Sequence, residues 1–316
     1  MNRTLLFVSA SVAVLMVASA ASAQSVTTNQ NGTNNAAIID QTGANTVNLQ
    51  QIGTNNGFTN DNDASDLSEQ SEGETSRVTQ GGTANGVTIY QNGDSNAFSV
   101  TQYGYGNQVG ITQYSNANNA ITSQDSSTTY SAINIYQDSQ GGNFQSGYNS
   151  NTAVASQGNY TYGSSIGITQ VGLFNYANAG QSNATYSSIG VAQYGNNNTA
   201  YASQTNTYGN NMGLLQQGYG NYLVASQSNG YYNNINASQY GYYQQANLSQ
   251  NGSYNTINGY QDTYNNSATV AQNGSGNTAS YYQSGYQNVA SITQTSGYSA
   301  SATQVGNYNN VNINQH

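Results

Sequence analysis

The 316-residue chain is 4% charged, carries a formal net charge of −9, and contains no Pro, Cys or Trp. Its only two basic residues are Arg3 and Arg77, which excludes a cluster able to hold nucleic-acid phosphates and excludes a P-loop, which needs Lys. Without Cys no disulfide closes a secreted fold. So little charge and Pro also sets the chain apart from ordinary disorder, and an amide- and Tyr-rich chain with Ile, Val and Thr matches the composition of cross-β stacking.

Residues 1–23 read as a secretory signal peptide, with a basic start at Arg3, an apolar run from Leu5 to Ala18 and small residues at Ala21, Ser22 and Ala23. Ser9, Ser11 and Ser19 dilute the run, which argues against a membrane anchor. The chain after cleavage begins near Gln24, and eleven acids against Arg77 leave it at −10.

Residues 24–79 read as degenerate repeats interrupted by an acidic loop, with six of the eleven acids between Asp61 and Glu74. That loop is either a solvated excursion or a segment whose repulsion holds back assembly of the first rungs until export is complete.

Residues 80–316 carry a repeat. Gln80, Gln91, Gln102, Gln113 and Gln124, then Gln193 and Gln204, then Gln239, Gln250, Gln261, Gln272, Gln283 and Gln294 recur mostly at intervals of eleven. Gly93, Gly104, Gly172, Gly195, Gly252, Gly274 and Gly285 each stand two residues after a Gln, and an Asn commonly follows three residues later. Gly and Asn tolerate positive φ, so each Gln predicts a turn and then a short strand.

Alternation places Asn107, Val109, Ile111 and Gln113 on one face of such a strand, apolar between two amides. The same reading puts Ile166 and Ile168, Ala177 and Ala179, Ile189 and Val191, and Ala200 and Ala202 in the core. Large and small arms alternate there, so the full repeat is two arms of about twenty-two residues, filling a thin space between two sheets.

The inward amides are expected to stack in ladders, each donating to one neighbour and accepting from the other. They are Gln91, Asn96, Gln102, Asn107, Gln113, Gln170, Asn175, Gln181, Gln193, Asn198, Gln204, Gln250, Asn255, Gln261, Gln272, Asn277, Gln283, Asn288 and Gln294. Ordering about twenty-two residues costs on the order of 1 kcal/mol or more each, while two large and two small side chains return only several, so stability must come from stacking. Uniform rungs would number roughly thirteen from Gln24 onward.

A charge repeated at one position would face its like about 5 Å away. Consistent with this, Asp94, Asp125, Asp138 and Asp262 fall after Gln residues, in predicted turns. The 29 Tyr residues, among them Tyr103, Tyr105, Tyr114, Tyr194, Tyr219 and Tyr240, are expected outside, either as strand and turn formers or as an adhesive surface. The last strand, "NVNINQ", is expected to present an uncapped edge.

Catalysis finds little support. The single His is His316, no carboxylate pair recurs outside the acidic loop, and the Gly and Asp calcium repeat is absent. No catalytic, metal, cofactor-binding or small-molecule substrate site is expected.

Ser, five residues, Gln, any, Gly, two residues, Asn, any, Ala, three residues, Gln is met in full at Ser164 to Gln181 and at Ser187 to Gln204. This pattern resembles the repeat of curlins, the subunits of curli-type functional amyloid. The resemblance implies an all-β solenoid that is amyloid-like, exported through an outer-membrane pore, and polymerised at the cell surface with a nucleator subunit into biofilm fibres. The start "QSVTTNQNGTNNAAIIDQ" lacks the glycine-rich export segment typical of the best-known members. The alternatives are a surface nucleator of such fibres, a monomeric solenoid adhesin, or an ice-binding protein, for which the outward Thr88, Thr101 and Thr112 are not continued along the later rungs.

Overall fold

A computed structural model describes residues 13–18, 25–33, 35–57, 76–139 and 151–316. The acidic stretch 61–74 and most of the signal-like segment lie outside these residues. The described residues form strands joined by tight turns, and the chain is a β-solenoid of parallel strands with about 23 residues per rung.

Two compact units are present. The first contains β1 (Ala13–Ala18), β2 (Ser25–Thr33), β3 (Ala36–Gln41), β4 (Thr46–Thr54), β5 (Arg77–Gln80), β6 (Gly86–Asn92), β7 (Ala97–Gln102), β8 (Gln108–Tyr114), β9 (Asn119–Gln124), β10 (Ala132–Asp138) and β11 (Thr152–Gly158). Strand β12 (Ser165–Leu173) contributes to both units.

The second unit contains β13 (Tyr176–Thr185), β14 (Ser188–Asn196), β15 (Thr199–Tyr208), β16 (Asn211–Tyr219), β17 (Tyr222–Tyr231), β18 (Asn234–Tyr242) and β19 (Gln245–Asn251). It continues with β20 (Thr256–Tyr264), β21 (Ser267–Asn273), β22 (Thr278–Tyr286), β23 (Val289–Gln294), β24 (Ser299–Asn307) and β25 (Asn310–Gln315).

Within each unit strands pair in parallel two places apart, so odd strands build one sheet and even strands the other. In the first unit β7 pairs with β9 and β6 with β8; in the second β15 pairs with β17 and β14 with β16. Register is held by identity of position, as in Gln181 opposite Gln204 and Gln204 opposite Gln227. A slip by one residue would turn every inward side chain outward, so the apolar pattern enforces that register.

The core lies between the two sheets. Val109, Ile111, Ile166, Ile168, Ala177, Ala179, Ile189, Val191, Ala200 and Ala202 are all buried. Ile- or Val-bearing even arms alternate with Ala-bearing odd arms from β12 to β15. Elsewhere the volume is shared within an arm: β17 carries Leu223 and Ala225, and β19 carries Ala246 and Leu248. What the packing requires is a filled layer, and a large residue can stand at either inward position.

Among the described residues each sheet has twelve strands after Gln24, which makes twelve rungs, one fewer than the uniform repeat predicts. Steps of 39 and 40 residues separate Gln41 from Gln80 and Gln51 from Gln91, and steps of 33 separate Gln124 from Gln157 and Gln137 from Gln170. These long steps contain residues 58–75 and 140–150, which lie outside the described residues, and the pairing keeps Gln opposite Gln across them.

Candidate functional site

The inward amides form hydrogen-bonded ladders parallel to the stacking direction. On the even strands of the first unit, Gln51 Nε2 donates to Gln91 at 2.8 Å, Gln91 to Gln113 at 2.7 Å, and Gln113 to Gln137 at 2.9 Å. On the odd strands Gln80 donates to Gln102 at 2.6 Å and Gln102 to Gln124 at 2.9 Å. The second unit repeats this from Gln193 through Gln216, Gln239, Gln261 and Gln283 to Gln304. Its odd strands do the same from Gln181 through Gln204, Gln227, Gln250, Gln272 and Gln294 to Gln315.

In most of these amides the second hydrogen reaches across the core. Gln113 Nε2 donates to the Ala97 carbonyl at 2.9 Å, Gln204 to Ser188 at 3.0 Å and Gln272 to Thr256 at 3.0 Å. Because a main-chain carbonyl can only accept, this contact fixes which end of the Gln amide is nitrogen. Gln170 belongs to the same pattern: it accepts from Gln137 at 2.9 Å and donates to the Thr152 carbonyl at 3.0 Å.

Asn residues serve the corners in the opposite sense. The Asn107 main-chain N–H donates to Asn85 Oδ1 at 2.9 Å, and Asn107 Oδ1 accepts from the Ser131 main-chain N–H at 3.0 Å. Its Nδ2 donates to the Tyr103 and Thr128 carbonyls, both at 2.8 Å, and so closes the turn that leads into it. Asn96, Asn175, Asn198, Asn255, Asn277 and Asn288 occupy equivalent buried corners. Burial without penalty requires these partners, since an unpaired amide in a dry layer costs about 1–3 kcal/mol.

The seven glycines singled out by spacing all adopt positive φ, from +84° at Gly274 to +140° at Gly93. At Gly93 a Cβ would also collide with the Ser115 carbonyl of the next rung, so close stacking as well as φ demands Gly there.

Several amides in the ladders escaped the eleven-residue spacing. Gln30, Gln41 and Gln51 precede the acidic interruption; Gln137, Gln157, Gln216 and Gln304 stand at other spacings from the preceding ladder Gln, and Gln227 and Gln315 follow the last two of these by eleven residues. The signal for them is local: an inward apolar pair ending in Gln, as in "INIYQ" or "VASQ". Other side chains take the Asn corner. Ser187 Oγ accepts from the Asn210 N–H at 3.2 Å, and Gln244 Oε1 accepts from the Asn266 N–H at 2.9 Å.

Among the acids, Asp125 organises one corner. Its carboxylate accepts from the Ser127 N–H at 2.9 Å, the Thr128 hydroxyl at 3.0 Å and the Asn159 N–H at 2.8 Å. Burial pushes its ionisation up, but the hydrogen bonds from Ser127, Asn159 and Thr128 together outweigh burial and hold the carboxyl below its ordinary value. Among the described residues no group of His, Asp or Glu could hold a metal ion.

Tyr103, Tyr105, Tyr194 and Tyr219 are exposed, while Tyr114 and Tyr240 are half-buried on outer faces. Neighbouring rungs bring the rings into rows, among them Tyr240, Tyr260 and Tyr282, with successive centroids 5.4 and 5.1 Å apart. Tyr281 is the exception. It stands two residues before Gln283, an inward position, and is 2% exposed with a hydroxyl that has no hydrogen-bond partner. The ring takes up the space beside Gly259, where a Cβ would collide with it.

Residues 77–104 match the family model described as the curlin associated repeat. The match spans β5, β6 and β7 and contains three ladder amides, Gln80, Gln91 and Gln102, with Gly93 and Gly104. No curated protein matches the chain.

Proposed function

We propose that this chain, which carries the curlin associated repeat, is a secreted structural subunit that self-assembles into extracellular, curli-like amyloid fibres of a biofilm matrix. One observation carries the reading: every rung is complementary to a copy of itself. Toward the following rung it presents Gln Nε2 donors and Asn Oδ1 acceptors; toward the preceding one it presents Gln Oε1 acceptors and main-chain N–H donors. A rung from a second molecule, stacked in the same direction, meets the same groups that its own neighbour meets. A rung stacked in reverse sets Gln donors against donors. Polymerisation is therefore head to tail, the heterologous mode that grows open filaments.

The curlin repeat supports the wider setting: passage through an outer-membrane pore, a nucleator subunit as partner, and a role in adhesion and cell aggregation at the cell surface. The signal-like residues 1–23 support export. Structural work of this kind uses no catalytic group and no cofactor.

The test is refolding of residues 24–316 by rapid removal of denaturant, with thioflavin fluorescence and electron microscopy. Sigmoidal growth of fibres, with the lag abolished by fibre fragments, is expected. A folded monomer that stays soluble at high concentration would overturn the proposal.

A further inference from the structure

The tripeptide Tyr-Gln-Asp occurs at residues 136–138 and again at 260–262. Strand alternation sends its Gln into the ladder and leaves Tyr and Asp side by side on the outer face. In β20 the Asp262 carboxylate lies beside the Tyr260 phenol and accepts a hydrogen bond from the Thr263 hydroxyl at 2.8 Å. The register then sets Tyr260 opposite Tyr282 of β22. Their rings are stacked, with centroids 5.1 Å apart and planes 5° from parallel, and Tyr282 is 40% exposed.

We propose that Tyr260 and Tyr282 are a site of oxidative coupling, at which peroxide and a haem-type one-electron oxidant join the two rings and staple adjacent rungs covalently. Each phenol gives one electron to the oxidant and one proton to a base, leaving two phenoxyl radicals. A bond forms between the ring carbons ortho to the two oxygens, and each of those carbons then loses its hydrogen to the phenoxyl oxygen of its own ring, restoring aromaticity. One peroxide is reduced to two waters, and the product is a biphenol lighter by two hydrogens. Asp262 accepts the proton of Tyr260 as the electron leaves, which makes Tyr260 the ring oxidised first.

Among the described ring pairs this one is the closest and most nearly parallel, with Tyr264 and Tyr286 next at 5.2 Å and 12°. Tyr114 and Tyr136, beside the first tripeptide, are tilted by 50° with centroids 5.8 Å apart, so their rings do not stack. Tyr232 and Tyr254 are exposed and stacked at 5.7 Å but are given no carboxylate partner by the structure. Burial and the nearby Asp262 charge raise the Tyr260 ionisation, so the phenol keeps its proton at neutral pH until oxidation removes it.

The experiment treats the full chain with hydrogen peroxide and a haem peroxidase, using an equal mixture of isotope-labelled and unlabelled protein, and maps joined peptides by mass spectrometry. The expected product joins the peptide of Tyr260 to that of Tyr282, two hydrogens lighter, with like label on both halves. Tyr282→Phe removes it. Asp262→Asn lowers its yield by about tenfold and leaves any Tyr232–Tyr254 product unchanged. A joined peptide of mixed label, coupling that favours other rings over this pair, or a yield indifferent to Asp262→Asn would overturn the proposal.

Discussion

Gln204 Nε2 divides its two hydrogens between Gln227 of the next rung, at 2.8 Å, and the main-chain carbonyl of Ser188 across the core, at 3.0 Å. Its Oε1 accepts from Gln181 at 2.8 Å. One side chain thus ties three strands, and neither contact survives rotation of the amide.

Replacing Gln204 by Leu keeps the volume and removes all three bonds, leaving a buried donor on Gln181 and buried acceptors on Gln227 and Ser188. Destabilisation of about 3 kcal/mol is expected, against less than ~0.5 kcal/mol for Asn211→Ala, whose bonds to Ser188 and Asn234 are exposed. Equilibrium urea unfolding of the unassembled chain compares the two.

Tyr281→Phe is expected to stabilise by about 1 kcal/mol, because it removes a buried hydroxyl without a partner and keeps the ring that occupies the space beside Gly259. The same unfolding measurement reads it. A loss of stability would show that the hydroxyl is satisfied in solution.

Gly93→Ala combines a disfavoured φ of +140° with a collision against the next rung, so a loss of about 2 kcal/mol or more is expected. Gly167, in β12, has nothing within 4 Å of where a Cβ would lie, and Gly167→Ala should be neutral or slightly stabilising. Thermal unfolding of both variants separates stacking glycines from incidental ones.

Asp125 gives a pH dependence of known sign. Its folded-state ionisation lies below the ordinary carboxyl value of 3.8, so its contribution is fully present above that value and is lost as pH falls through the folded one. Urea midpoints measured from about pH 5 to about pH 2 should fall for the native chain, and that part of the fall should vanish in Asp125→Asn.

Much of the fold is legible because the repeat reports it many times. The spacing of Gln102, Gly104 and Asn107 fixes turn and strand, and alternation around Ile111 fixes the inward face. The limits are physical. Inserted residues can leave the stack intact, so the steps after Gln51 and Gln124 break an eleven-residue count while the ladder runs on. Tyr281 shows the other limit: position marks it as inward, but composition marks Tyr as outward, and position wins because Gly259 makes room. The hydrogen-bond direction of the ladders lay beyond the sequence, since it depends on which carbonyl each Nε2 meets across the core.

X-ray diffraction from aligned fibres of residues 24–316 tests the central claim most directly. Head-to-tail stacking of parallel rungs predicts a reflection near ~4.7–4.8 Å along the fibre axis and one near ~10 Å across it, for strands that lie perpendicular to the axis. Fibres whose ~4.7 Å reflection lies across the axis, or a chain that forms no fibres, would contradict it.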